Sequence, residues 1–205
     1  MPANEDRAMM NTKRKGKHGQ SYLSFLLLCL LMLFTSACSS GMKQYVRPGA
    51  DFRAIKAVAV LPLENFSSDK YANGKLRSKI IIELLSRGID VIEPGEVVTA
   101  LRYLKVRSID SIRTEDIRAM GKMLNVNAVI KGSVEAFGIS KGITVSYPEV
   151  SIHLTLIETA TGNTVWSVWH TTGGASFWTR HFGAEGRTLD NASADVVREA
   201  FDAIY

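Results

Sequence analysis

Residues 22–34 read YLSFLLLCLLMLF, thirteen positions that are apolar except for Ser24. Lys13, Arg14, Lys15 and Lys17 precede this run, and the small residues Thr35, Ser36 and Ala37 follow it, just before Cys38. A basic front, a short apolar core and a small-residue boundary make a secretory signal peptide. A membrane-spanning helix needs roughly 20 apolar residues, more than this run offers. Removal of the leader leaves 168 residues to fold. That length suits one domain with a real core. Cys29 would leave with the leader and Cys38 is the one cysteine beyond it. No internal disulfide is therefore available, despite an oxidising destination.

Phe34-Thr35-Ser36-Ala37-Cys38 resembles the box at which bacterial lipoprotein precursors are lipidated and cut. The resemblance implies that Cys38 becomes the first mature residue, carrying a thioether-linked diacylglycerol and an acylated amine. Several acyl chains anchor far more firmly than one, which binds only marginally. The box usually has Leu where Thr35 stands. Ser39 follows the cysteine, where an Asp would signal retention at the inner membrane, so the address reads as outer membrane. A start at Met9 or Met10 would leave a conventional basic front, without the acidic Glu5 and Asp6.

The formal charge of +5 does not indicate nucleic acid. Residues 1–20 hold five of the 25 basic and two of the 20 acidic side chains, so the remainder is close to neutral. With an export signal as well, no nucleic-acid partner is expected.

Residues 39–50 (SSGMKQYVRPGA) show no periodicity and carry Gly41, Pro48 and Gly49, so they read as a tether. The expected organisation is a signal peptide of lipoprotein type over 1–37, a lipidated tether over 38–50 and one α/β domain over 51–205. Within it, 55–61 (IKAVAVL) is a continuous apolar run closed by Pro62, the pattern of a central strand. Leu76, Ile80, Ile81, Leu84 and Leu85 form one face of a helix over 75–85, with Ser68 or Asp69 as its cap and Gly88 as its stop. A short strand over 89–92 follows. Val97, Val98, Leu101 and Leu104 mark a second helix, and Thr114 caps a third with Ile117, Met120, Met123 and Leu124 on its apolar face.

Residues 126–137 alternate as a strand with Gly132 at its middle, and 138–142 break the pattern. A second strand is expected from about Thr144 to Glu158, with Ile152, Leu154 and Leu156 on one face. Thr161-Gly162-Asn163 is a hairpin turn, after which 164–171 (TVWSVWHT) return. Trp166 and Trp169 fall on opposite faces, and Val168 on its face makes Trp166 the expected core member. A last helix covers 191–204. The order implies an α/β or α+β fold, with a mixed sheet whose C-terminal half is antiparallel and with helices packed on it.

The stretches KAVAVLPLENFS, LRSKIIIELLSRGIDVIEPGEV, GKMLNVNAVIKGSVEAF and VSIHLTLIETATGNTVWS together resemble a family of bacterial envelope lipoproteins. That family includes the curli secretion channel subunit, the lipoprotein activator of penicillin-binding proteins and the N-terminal domain of the Tol-system propeller protein. The family's strand end appears as Ala59-Val60-Leu61-Pro62-Leu63, and its later strand entry as Asn127 to Gly132. The resemblance implies a periplasmic module that binds, assembles or activates an envelope machine without chemistry of its own. The alternative is a subunit of an oligomeric curli-type secretion channel. The curli channel threads long hairpins through the membrane, and 138–148 is too short here for two membrane strands of roughly 9–11 residues.

Catalytic patterns do not emerge. There is no Gly-x-Ser-x-Gly, no His-Glu-x-x-His, and one glycine where a phosphate loop needs several. Glu64, Asp69, Glu83 and Glu93 are scattered and make no acid–base pair. His153 and His170, on neighbouring strands, are placed to face each other and, with Glu149 or Glu158, to begin a metal site, but the spacing matches no motif. No metal, no cofactor and no enzyme activity are expected. The candidate partner-binding residues are Phe177, Trp178, Arg180 and Phe182, aromatic groups beside a guanidinium in a glycine-rich stretch. The expected partners are the membrane, through the anchor, and another envelope protein or further copies of the chain. Labelling of cells with a fatty acid should mark this protein, and Cys38→Ala should abolish the label; labelling that persists in the variant would remove the basis for the anchor.

Overall fold

The computed structural model describes residues 42–141, 146–173 and 188–204. Seven strands and four α-helices follow in chain order: β1 (Lys43–Val46), β2 (Ala57–Val60), β3 (Glu64–Asn65), α1 (Ala72–Ser86), β4 (Asp90–Val91), α2 (Pro94–Tyr103), α3 (Thr114–Leu124), β5 (Ala128–Lys141), β6 (Ser146–Glu158), β7 (Thr164–Gly173) and α4 (Leu189–Asp202). A 3-10 turn at Phe52–Ala54 joins β1 to β2. The strands form one sheet in the order β1-β7-β6-β5-β2-β4, with β3 also paired to β5. The β5, β2 and β4 pairings are parallel, and β5-β6-β7-β1 is antiparallel throughout. The mixed sheet with an antiparallel C-terminal half is thus the observed architecture.

The two halves differ in what covers them, and the sequence pattern follows. On one face α1 and α4 lay Leu76, Ile80, Leu84, Val196, Val197 and Phe201 over Val58, Val60, Ile130, Ile152, Leu154 and Trp166. On the other, α2 and α3 lay Val97, Ile117 and Met120 over Ala59, Leu61, Val129 and Ile157. β2 is therefore buried on both faces and reads as continuous apolar sequence, whereas β6 and β7 are buried on one face and alternate. Trp166 is fully buried with its ring 5.4 Å from that of Phe201, while Trp169 is 46% exposed.

Local signals explain the element ends. Asn125 takes the left-handed conformation (φ 52°) that stops α3. Gly162 (φ 74°) closes the β6–β7 turn. A Cβ on Gly121 would sit 2.3 Å from Cβ of Thr159, so α3 can seat on that hairpin only through a glycine. Thr114 is the first residue of α3 and Arg113 the cap. Asp116, three residues after the cap, turns back on it and accepts two bonds from the Arg113 guanidinium, both 2.9 Å.

Neither Ser68 nor Asp69 caps α1, whose cap is Tyr71 without a side-chain bond; besides the caps, three expectations are corrected. Residues 43–46 are not free tether but the edge strand β1, registered on β7 from Lys43 with Trp169 to Val46 with Trp166. All four residues are exposed, so no apolar alternation marks the strand. The break expected at 138–142 is absent up to Lys141: β5 runs on through Gly138, paired with Glu149, because backbone bonds to β6 hold it without any side-chain pattern. His153 and His170 do not face each other. His170 is opposite Ile152 on the helix-covered face, and His153 is opposite Trp169 on the other.

Two tests follow from the packing. Trp166→Ala should cost about 3–5 kcal/mol in a urea titration and Trp169→Ala under about 1 kcal/mol; equal small losses would contradict the buried position of Trp166. The Arg113 side chain holds the Asp116 carboxyl below its usual range. A folded-state pKa below the unfolded one adds stability above about pH 4, which is lost as pH falls through the folded value. The Tm difference between wild type and Asp116→Asn should therefore be present at pH 7 and shrink below about pH 4.

Candidate functional site

Where α2 and α3 end, the sheet face beyond them has no helix among the described residues. It is built by period-two alternation from β6, β7 and β1. Trp169 lies at its centre, with Lys43 across from it on β1 and His153 on β6. The His153 and Trp169 rings stack at 5.6 Å, 24° from parallel. One residue pair down the strands, Tyr45 is across from Ser167, which in turn is across from Thr155. The Ser167 hydroxyl lies 3.1 Å from Nε2 of His153 and 3.2 Å from the Thr155 hydroxyl. Ser151 and Thr171 share a bond of 2.8 Å one pair up. Tyr45 is 50% exposed. The result is a flat, hydroxyl-rich surface with an aromatic centre, suited to adhesion rather than to bond making.

The opposite face carries a buried polar latch. Nε2 of His170 is 2.7 Å from Oε2 of Glu199 on α4, and the Thr172 hydroxyl donates to the same oxygen at 2.5 Å. The contact from Thr172 to His170 is longer, 3.3 Å. This cluster fixes α4 against β7.

A cleft of about 970 Å³ lies at the β6–β7 turn, lined in part by Arg47, Arg118, Lys122, Asn125 and Glu158. Two of its cations serve the backbone. Arg118 donates twice to the Thr161 carbonyl, at 2.6 and 3.2 Å, and Arg47 donates to the Thr164 carbonyl. There the Thr161 hydroxyl also donates to Oε2 of Glu158, at 2.6 Å. Among the described residues no group of three or more His, Cys, Asp or Glu side chains is placed to hold a metal ion. Nor is any helix among them long and apolar enough to cross a membrane.

Of the residues singled out in the sequence, Cys38 and the set Phe177, Trp178, Arg180 and Phe182 lie outside the described residues. The bare sheet face was only half visible. The opposed faces of the two tryptophans placed Trp169 on it, but Tyr45 and Lys43 were hidden in the apparent tether.

No protein-family model matches the chain, and no curated protein matches it by sequence. By shape it is similar to the PelC dodecamer from Paraburkholderia phytofirmans, at 20% identity over 79% of this chain and 96% of that one, with a TM-score of 0.54. A second crystal form of a PelC variant gives 0.55. It is also similar to the lipoprotein GNA1162 from Neisseria meningitidis, at 19% identity over 71% and 98% of the two chains, with a TM-score of 0.52. At these identities the likeness is one of fold. The LpoB C-terminal domain from Escherichia coli scores 0.43, too low to carry an argument. The resemblance read from the sequence thus holds as a remote, fold-level likeness to PelC and to one lipoprotein of known structure.

Glu199→Ala should cost about 1–3 kcal/mol, since it leaves the buried His170 ring without its close partner. Glu199→Gln, which keeps an acceptor, should cost less in the same urea titration. Equal losses would show that carboxylate charge rather than the acceptor matters.

Proposed function

We propose that this chain is a lipid-anchored module on the periplasmic face of the outer membrane that works by assembling with copies of itself, as the subunit of an oligomeric secretion-type ring without catalytic chemistry. The observation that carries this reading is the likeness to PelC, a dodecamer, which spans nearly all of that protein's chain. The anchor rests on the sequence at Cys38. The sequence carries no catalytic motif, and among the described residues no group of three or more His, Cys, Asp or Glu side chains is placed to hold a metal ion, which supports a scaffold over an enzyme.

A second reading, a module that binds a different envelope protein, draws on the exposed Trp169 and Tyr45 and on the segment with Phe177, Trp178, Arg180 and Phe182. An aromatic group beside a guanidinium is the usual composition of a binding hot spot. The measurement that separates the two is the native mass of the lipidated full chain extracted in mild detergent. A ring predicts one species of many copies. A monomer or dimer would overturn the ring and leave the binding module, for which Trp178→Ala should abolish crosslinked capture of the partner without shifting the unfolding midpoint.

A further inference from the structure

Strand β1 pins the start of the described chain at a known height on the sheet, and this limits how far the anchor can stand from the domain. Lys43 pairs with Trp169, Trp169 with His153, and His153 with Ser133, so Lys43 stands level with Ser133. Because β1 runs antiparallel to β7, the chain before Lys43 leads toward the β5–β6 hairpin end of the sheet. Cys38 is five residues before Lys43, and five residues reach at most about 18 Å. Ile139 is across from Pro148, five residues along β6 from His153, because a bulge between Val134 and Ala136 takes up one residue of β5; the climb from Ser133 is therefore about 17 Å at roughly 3.3 Å per residue. A fully stretched anchor therefore ends at about the height of Ile139, and any slack brings the hairpin nearer the lipid.

The side chains at that end match such a position. Ile139 is 58% exposed and Phe66 65%. Both border one shallow hollow of about 320 Å³ with Ser67, Ser68 and Glu149. Tyr71, the cap of α1, is also exposed, with the Lys70 ammonium 4.7 Å from its ring centre. Lys141 is the last residue of β5. The carboxylates at this end are engaged: Glu149 accepts from Ser140, Glu135 from Ser133, and Asp69 pairs with Lys75. Exposed aliphatic and aromatic groups with lysines whose stems can lie along apolar surface are the composition of a headgroup-level contact.

We propose that the hairpin end of the domain, with Ile139, Phe66 and Tyr71 at its rim, is a lipid-contact surface resting in the phospholipid layer that holds the Cys38 anchor. The proposal rests on the anchored reading given above. It fixes the orientation of the domain: strands β5 and β6 stand on the membrane, and the far end of α1 points away from it.

The test uses the full chain, lipidated in cells, purified and reconstituted into vesicles of phosphatidylethanolamine and phosphatidylglycerol. Ile139→Cys and, at the far end of α1, Leu85→Cys each receive an environment-sensitive dye; the Cys38 thiol is blocked by its thioether to diacylglycerol and Cys29 is gone with the leader. Mass spectrometry first establishes the lipid on Cys38. Dye at Ile139 should emit to the blue and lose its signal to nitroxide-labelled lipid, while dye at Leu85 should do neither. With the lipid present, an unquenched Ile139 dye overturns the proposal and leaves the anchor standing. A blue shift without lipid quenching would assign this end to a protein contact and overturn it equally. A chain without lipid on Cys38 would bring down the anchor and this proposal together.

Discussion

β5 and β6 pair from Ala128 with Glu158 at one end to Lys141 with Ser146 at the other, and every other strand takes its register from one of them directly or, for β1 and β4, through β7 and β2. β2 and β3 lie parallel on the free side of β5, β7 lies on the free side of β6, and β1 takes its place from β7. Because the side-chain period is two, a slip of one residue in this pair would exchange its two faces. Ile152, Leu154 and Leu156 would leave the helices, and Ser151, His153 and Thr155 would enter the core. The cost of burying those polar groups holds the register. Gly132 adds a steric lock at the same level, since a Cβ there would stand 2.1 Å from the His153 carbonyl oxygen.

Several charged side chains join one element to another. Arg77 on α1 donates to the Val60 carbonyl at the end of β2, at 2.6 and 3.1 Å. Lys79 meets Asp190, and Arg87 meets Asp202, so α1 and α4 are clipped together at two points along their common direction. Arg118 ties α3 to the β6–β7 turn. Guanidinium groups suit this work because one planar fork reaches two acceptors in a fixed geometry. Exposed pairs of this kind add little stability each, and their service is to set how the helices lie on the sheet.

What the sequence disclosed depended on whether burial wrote a pattern into it. β2, β6, β7 and the helices bury a face, and their apolar spacing gave the class of fold, the hairpin at Gly162 and the buried role of Trp166. β1 buries nothing, so KQYV carried no signal and passed as tether. The outer part of β5 is held by backbone pairing with β6, so Gly138 looked like a break in a strand that continues past it. The histidines illustrate a different limit. Their strands were placed correctly, but whether two residues on neighbouring strands share a face depends on the exact pairing, here Ile152 with His170 and His153 with Trp169. The bare aromatic face was legible only through Trp169, because its other members came from the strand that could not be seen.

The direction of β1 also bears on how copies of the domain can meet. With the hairpin end at the lipid, neighbours in the membrane plane approach from the sides. One side is the sheet around Trp169, which no helix covers among the described residues, and the opposite side is the outer surface of α1 and α4, where Ile82 and Leu85 are exposed. These surfaces differ in shape and chemistry. Contact of each with its own kind would give closed two-fold dimers. Contact of one with the other repeats head to tail, and a repeating contact closes into a ring or runs on as a filament according to the rotation it imposes. Anchors all on one edge favour the ring, because a filament that climbs would lift later copies off the membrane by more than a tether of a few residues can span. On the proposed anchor at Cys38, the four residues between it and Lys43 would act on assembly as well as on orientation: they would hold every copy at one height and confine a head-to-tail contact to the plane in which it can close.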